Sequence, residues 1–407
     1  MCLAAVVALP AQAAAYRGAR PAHPAAVPVP SFGVAASRGM QELLGSGDHS
    51  PVSWNPLTGL WGAQISSYWW QSALAVTTMV RYAERVDSAA PLYQRILLQT
   101  YKRNVYGARW QFANTYTDDT GWWALAWLTA SRYELYYQHD RKDAARFLST
   151  AEWEARFIAA QPKVCGGIEW SVGTPPNVVT NAQFIALTAQ LSRYRSAGPF
   201  YNPGLASSWL SDAQGTLNWL EASGLVNLET GTVIDSLNSS CHPIGGTLTY
   251  TEGEVAEALT QMGNTVNSWS YYEQAQGFLN YTLSPASGLT YHGVLQEHCE
   301  ATLGACSQVL FRLDLPAYKG LFVNAMADWD ASTGSNAFAA ALDTQATAVV
   351  QNAIRGPHND VAHRATPHTC QFSFHWTGES DPAPMGITLG GQESALDALT
   401  AVLPPQP

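Results

Sequence analysis

The sequence predicts an all-α protein, a closed toroid of paired helices, on three observations. Eleven stretches with apolar residues at steps of three and four follow one another without interruption: 68–87, 91–104, 120–138, 142–160, 179–195, 205–223, 252–263, 268–282, 307–328, 336–354 and 388–403. Strand signals are sparse, and no linker divides the series, so a single domain fits it. An α-solenoid is the main competitor, but no signature repeats at a fixed period of about 30–50 residues.

The elements follow in chain order. Residues 2–15, CLAAVVALPAQAAA, are a short apolar run ending in small residues and resemble the back half of a secretory signal without its basic start. Residues 16–52 are rich in Pro, Ala and Gly and read as a flexible or wrapping arm, so the folded domain is expected over 53–407. Within it, Thr120 is placed to cap the run GWWALAWLTASRY. The Gly- and Pro-rich connections 161–178 and 224–250 are long enough to carry function. No later apolar run reaches the roughly 18 residues that span a bilayer, and the terminal VLPPQP lacks an apolar anchor tail, so a released, secreted protein is expected.

Composition narrows the function. Of 407 residues, 47% are hydrophobic and 13% charged, which suits a large packed core. A net charge of -10 opposes binding to nucleic acid or an anionic membrane. Fifteen tryptophans and 18 tyrosines, many beside polar positions, offer faces for stacking on sugars, although most are expected in the core. Without Cys2, five cysteines remain (165, 241, 299, 306 and 370), so at least one is unpaired or intermolecular. The short Cys299–Cys306 separation permits a local disulfide; a zinc site using His298 lacks the paired spacing such sites show. No metal or cofactor is expected. Asn238 and Asn280 begin possible glycosylation sequons.

The chemistry points to residues 112–127, FANTYTDDTGWWALAW, where Asp118 and Asp119 stand together before a helix. Two carboxyls a few ångströms apart repel, so one keeps its proton to higher pH and the pair offers an acid and an anion together. Glycoside hydrolysis needs such a pair. Helix capping is the plainer explanation. Tyr116, Trp122, Trp123 and Trp127 favour the first, because aromatic surface both desolvates a carboxyl and stacks on a sugar.

At this point the sequence resembles glycoside hydrolase family 76, the family of endo-α-1,6-mannanases and fungal cell-wall transglycosylases. Residues 52–73, VSWNPLTGLWGAQISSYWWQSA, look like its opening motif, and YTDDTGWWALAW looks like its catalytic block. CGGIEW at 165–170, TNAQFIALTAQLSRY at 180–194, TYTEG at 249–253 and YKGLF at 318–322 follow in the family's order. The resemblance implies an (α/α)6 barrel and a retaining mechanism, with Asp118 as nucleophile and Asp119 as acid/base. It also implies sugar contacts from Asp235 and Tyr250; a turn-forming aspartate and a core aromatic are the alternatives. Gly166 and Gly167 would let the backbone approach a sugar, or merely turn the chain. Trp61, Trp70 and Trp170 are candidate stacking platforms or core residues, and Asn181 is a candidate ligand or cap. Glu252 stands where the family has Gln, and Gln71 where it has Asn. A carboxylate at 252 facing the site would alter the acid's pKa or the hydroxyls recognised.

The expected partner is an α-mannan-like polysaccharide or oligosaccharide, and the expected state is a monomer without a membrane anchor. Transglycosylation and action on another α-linked glycan remain open, since the same acids serve all three. From another class, a non-catalytic glycan-binding protein or helical scaffold would keep the aromatics but not both acids. A helical terpene cyclase would want DDxxD, whereas Thr-Gly-Trp follows Asp119.

Overall fold

A computed structural model describes residues 30–45, 50–62, 67–86, 91–106, 110–301, 305–306, 313–355, 370–378 and 387–404. Twelve α-helices occur among them: α1 Phe32–Leu43, α2 Ser67–Val86, α3 Pro91–Asn104, α4 Thr117–Tyr136, α5 Arg141–Ala159, α6 Val178–Ser196, α7 Pro203–Ala222, α8 Thr249–Val266, α9 Trp269–Leu283, α10 Leu315–Thr333, α11 Ala339–Ala348 and α12 Leu389–Ala401. The even-numbered helices pack each on the next, and α12 returns to α2, so they close a ring. The odd-numbered helices lie outside it, giving an (α/α)6 barrel as expected.

Burial explains which helix goes where. Every residue from Val178 to Ala189 of α6 and from Leu389 to Thr400 of α12 is buried, as an element enclosed on all sides requires. Outer α7 buries only Ala206, Trp209, Ala213, Leu217 and Leu220, a single stripe at steps of three and four. Close approach of inner helices needs small residues: a Cβ on Gly320 of α10 would lie 2.5 Å from the Ser394 Cα of α12.

Two boundaries differ from the sequence reading. Residues 32–43, read as part of the arm, form α1 and supply the outer partner of α12. Ala35, Ala36, Gly39, Met40 and Leu43 face the core, and the Trp61 indole Nε1 donates to the Leu43 carbonyl at 2.9 Å. Short small-residue stripes carry a weak periodic signal, which is why Pro/Ala-rich composition masked this helix. α10 begins at Leu315, not 307, behind Asp314. The expected signal segment and most of the arm, 1–29, lie outside the described residues.

Alternation puts all inner-helix N-termini at one end of the barrel. There the outer-to-inner connections carry six two-stranded antiparallel hairpins: β1 Trp54–Asn55 with β2 Leu60–Trp61, β3 Lys163–Val164 with β4 Gly167–Ile168, β5 Val226–Asn227 with β6 Thr232–Val233, β7 Ser236–Leu237 with β8 Pro243–Ile244, β9 Thr290–Tyr291 with β10 Val294–Leu295, and β11 Ile354–Arg355 with β12 Gln371–Phe372. The Cys165–Cys241 disulfide ties the β3–β4 turn to the β7–β8 turn across 76 residues. Cys299–Cys306 forms the local disulfide, and Cys370 is a buried free thiol. Chain-entropy arguments for a loop of that length allow the first bridge at most about 4.5 kcal/mol. Replacing Cys165 and Cys241 together with serine should therefore lower the melting temperature while leaving the helical circular dichroism of the folded state unchanged. Among the described residues no helix is long and apolar enough to cross a membrane.

Candidate active site

The mouth formed by inner-helix N-termini collects the acids. Asp118 and Asp119 stand inside the first turn of α4, not ahead of it, and Tyr116 occupies the cap position without a side-chain cap bond. Thr120 lies one turn in, its hydroxyl 3.4 Å from the Tyr116 carbonyl, so the capping role expected of it is not taken. The start of α4 is pinned from outside: Thr117 N donates to the Trp170 carbonyl at 2.7 Å, and Val172 N to the Thr115 carbonyl at 3.1 Å. This crossing brings Trp170 onto the acids.

Both carboxyls are half-buried. Asp118 Oδ2 accepts from Trp170 Nε1 at 2.9 Å and Oδ1 from the Asp119 backbone N at 2.9 Å. Asp119 Oδ2 accepts from Asn114 Nδ2 at 2.6 Å. Burial, and then the charge of Asp119, hold Asp118 well above the usual carboxylate range; the Trp170 and backbone donors act the other way. The helix N-terminus also favours negative charge here. Such a pair holds one proton and one charge between its members over a wide pH range.

Opposite the acids, Tyr250 of α8 and Tyr318 of α10 stack face to face, ring centroids 3.8 Å apart and 11° from parallel. Tyr250 is in hydrogen-bond contact with Asp235, whose own carboxyl is pushed up by burial. Burial raises the Tyr250 phenol well above its usual value, and the nearby Tyr318, Asp235 and Asp118 raise it further. Asp118, Asp235 and Tyr250 thus share one cleft, although the first two are 117 positions apart (235 − 118). Tyr116, 43% exposed, meets Trp170 edge-on at 5.4 Å and forms an open rim. Trp70 donates from Nε1 to Asp314 Oδ1 at 3.1 Å and stacks on Trp122 at 5.8 Å.

Other candidates serve the framework. Trp61 and Trp123 are 1% and 0% exposed; Trp123 packs against Phe112, Trp69 and Trp127, so neither presents a face to a sugar. Asn181 is fully buried, with Oδ1 accepting from Ile168 N and Nδ2 donating to the Ile168 and Asn177 carbonyls; it holds β4, and Asn177 caps α6. Gly166 and Gly167 make room for Trp219, whose ring would lie 3.0 Å and 2.2 Å from a Cβ at each. Glu252 turns away from the cleft: it is 0% exposed, and its Oε1 accepts from Val233 N of β6 at 3.1 Å. Gln71 is likewise buried, donating to the Leu313 carbonyl at 2.9 Å.

Four residues were missed. Asn114 and Tyr318 lie within quoted motifs, and their polar groups in an aromatic setting were the available signal. Asp314 fell inside a stretch read as helix. Gln183 sits against the underside of the pair, its amide nitrogen 3.3 Å from the Asp118 carbonyl and its oxygen 3.2 Å from Trp122 Nε1. The room for it comes from Gly121, where a Cβ would lie 2.4 Å from that amide. Among the described residues no group of three or more His, Cys, Asp or Glu is arranged to hold a metal.

Burial also pushes Glu252 up to about 8, and Glu297, which accepts from Thr249 N, up to about 8. A carboxyl whose folded pKa lies above its ordinary value binds its proton more tightly when folded. Its contribution to stability is complete below about pH 4.5 and is lost as pH rises through about 8. The melting temperature should fall steadily between about pH 5 and about pH 8; a flat or rising profile by calorimetry would contradict these environments.

Comparisons with known proteins accord with this architecture. Residues 52–406 match the model of glycosyl hydrolase family 76. No curated protein matches the chain. Among solved structures, an α-1,6-mannanase from a Salegentibacter species is 18% identical with a TM-score of 0.68, covering 92% of this chain and 99% of its own. It is an inactive variant in which two consecutive aspartates were changed to asparagine, in complex with α-1,6-mannotriose. Dfg5 from Chaetomium thermophilum, in complex with glucosamine, is 20% identical with a TM-score of 0.70, covering 91% and 89%. An α-mannanase from Bacteroides thetaiotaomicron is 12% identical with a TM-score of 0.64, covering 92% and 96%.

Proposed function

As the chain belongs to glycosyl hydrolase family 76, we propose that it cleaves α-1,6-mannosidic linkages with retention of configuration, using Asp118 as nucleophile and Asp119 as acid/base. The observation that carries the reading is the carboxylate pair itself. It is the one Asp-Asp in the sequence, and each acid has its own donor, Trp170 on Asp118 and Asn114 on Asp119.

The first step passes the Asp119 proton to the glycosidic oxygen while an Asp118 oxygen bonds the anomeric carbon and the bond to the leaving sugar breaks. A proton on Asp119 removes that residue's charge from beside Asp118. The two N–H donors on Asp118 then favour its anion, the form that attacks. In the second step Asp119 takes a proton from water, whose oxygen displaces Asp118 from the same carbon. Tyr116 and Trp170 supply the rim on which a sugar ring stacks, and Tyr250 with Asp235 faces the reacting centre. If an acceptor sugar replaces water, the same acids transfer the glycosyl group, and longer products in the presence of added oligosaccharide would assign that outcome.

The reading includes an oxidising, extracellular setting, supported by two disulfides. Its test is the first product from α-1,6-mannooligosaccharides, followed by proton NMR. The α-anomer should appear first; an initial β-anomer would refute double displacement, and no release from any α-mannan would refute the substrate class.

A further inference from the structure

Inner helices of a closed toroid meet along an axis, and packing alone would fill that axis with apolar side chains. Instead, α8 turns Glu254, Glu257, Gln261 and Asn264 to it at steps of three, four and three, where they line a cavity of about 560 Å³. Arg193 of α6 and Arg132 of α4 line it too, as does the Arg81–Asp328 ion pair between α2 and α10. The ten residue steps from Glu254 to Asn264 span about 15 Å of helix. Trp122 forms part of the inner wall, four residues or about 6 Å of helix below Asp118. The lumen therefore runs from beneath the catalytic cleft toward the opposite mouth, where inner-helix C-termini gather and Arg132 is exposed.

Its polar lining is not fully satisfied. Glu254 is 5% exposed, and the buried Oε2 of Glu257 has no hydrogen-bond partner among the described residues. Each such group costs about 1–3 kcal/mol, which an apolar stripe would not incur, and conflicts of this kind gather at functional sites. Burial holds the Glu254 carboxyl well above its usual range and pushes Glu257 up to about 8, so near neutrality Glu257 donates as well as accepts.

The ligand follows by elimination. An anion would face converging helix C-termini, whose partial charge is negative. A cation would face Arg132 and Arg193, neither of which is in a salt bridge with a described residue. An apolar molecule would leave the buried acids unpaired. Hydroxyl groups, which donate and accept, fit this mixture. A second cavity of about 440 Å³ shares Arg132, Gln190 and Arg193 and is lined by Tyr136, 58% exposed, which offers a ring face at the rim. We propose that the barrel lumen is a second, non-catalytic site for a neutral saccharide unit, bound through its hydroxyls by Glu254, Glu257 and Arg193.

Hydrogen exchange read by mass spectrometry tests this on the whole chain with D-mannose, D-glucose and D-galactose as probes and glycerol as control. At least one hexose should give saturable protection of peptides within 188–196 and 257–266, separately from any protection of 114–124 and 166–172 in the cleft. Glu254→Leu and Arg193→Leu should each weaken the lumen response by at least about tenfold, while leaving hydrolysis and cleft protection unchanged. Arg193→Lys, a milder change, serves if either leucine variant misfolds, and should weaken binding in the same direction. No hexose protection in those segments, equal protection by glycerol, or protection that survives these substitutions would show a lumen filled only by water and overturn the proposal. Because cleft and lumen peptides are read separately, loss of one response does not obscure the other.

Discussion

Asp118→Asn and Asp119→Asn should each reduce turnover of α-1,6-mannan by roughly 10³-fold or more, with the melting temperature within a few degrees of the parent. Asparagine keeps the shape and, at Asp118, an oxygen for the Trp170 indole, so the framework is retained. It removes the charge that attacks at 118 and the proton that moves at 119. Alanine variants separate the roles through added azide. With Asp118→Ala, azide enters the vacated face and attacks once, giving an inverted glycosyl azide. With Asp119→Ala, azide attacks the glycosyl-enzyme and gives a retained product. Reversed stereochemistry would exchange the two assignments, and substantial residual hydrolysis in either asparagine variant would remove the pair from the chemistry.

Lys319→Met should lower stability by about 3–5 kcal/mol, the cost of leaving one partner of a buried ion pair uncompensated. Lys319 is fully buried, and its Nζ donates to Glu300 Oε1 at 2.8 Å, Glu300 Oε2 at 3.1 Å and the Phe374 carbonyl at 2.6 Å. It also lies 4.0 Å from the centroid of the Phe374 ring. His375 Nδ1 stands 3.2 Å from Glu300 Oε2. One ammonium thus joins α10, the disulfide loop carrying Glu300 and the segment before α12. Burial lowers the Lys319 pKa while Glu300 opposes that, and Lys319 in turn keeps Glu300 below the usual carboxylate range despite its burial. A melting temperature lower by roughly 10 °C is expected. A shift under about 2 °C would show that Glu300 finds its charge balance elsewhere. Glu300→Gln in the Lys319→Met background should recover part of the loss, because it removes the orphaned charge.

How much was legible depended on whether the signal was local. Nine of the eleven helical stretches lie over helices with boundaries a few residues off; 307–328 opens well ahead of α10, which begins at Leu315, and 336–354 covers the ten-residue α11 and a following turn of π-helix. Periodicity registers which faces are buried, and burial is what each helix answers to. α1 escaped because alanine and glycine bury little area per residue, so its stripe was faint beside the surrounding prolines. At the mouth, the aromatic and acidic context marked Asp118 and Asp119 but could not sort their neighbours. Trp122 and Trp123 are adjacent in sequence, yet successive residues on a helix point about 100° apart. One meets Gln183 and Trp70, and the other is sealed among Phe112, Trp69 and Trp127.

By itself the sequence determined the helical class, the carboxylate pair and the ordered motifs, because each is written in residues close together along the chain. Only the tertiary structure decided that α1 completes the outer ring, that Glu252 supports β6 away from the cleft, and that Asp235 and Tyr250 meet Asp118. Those outcomes depend on which elements ring closure brings together. Closure joins groups more than 100 positions apart, and no spacing along the chain records the direction in which each helix presents them.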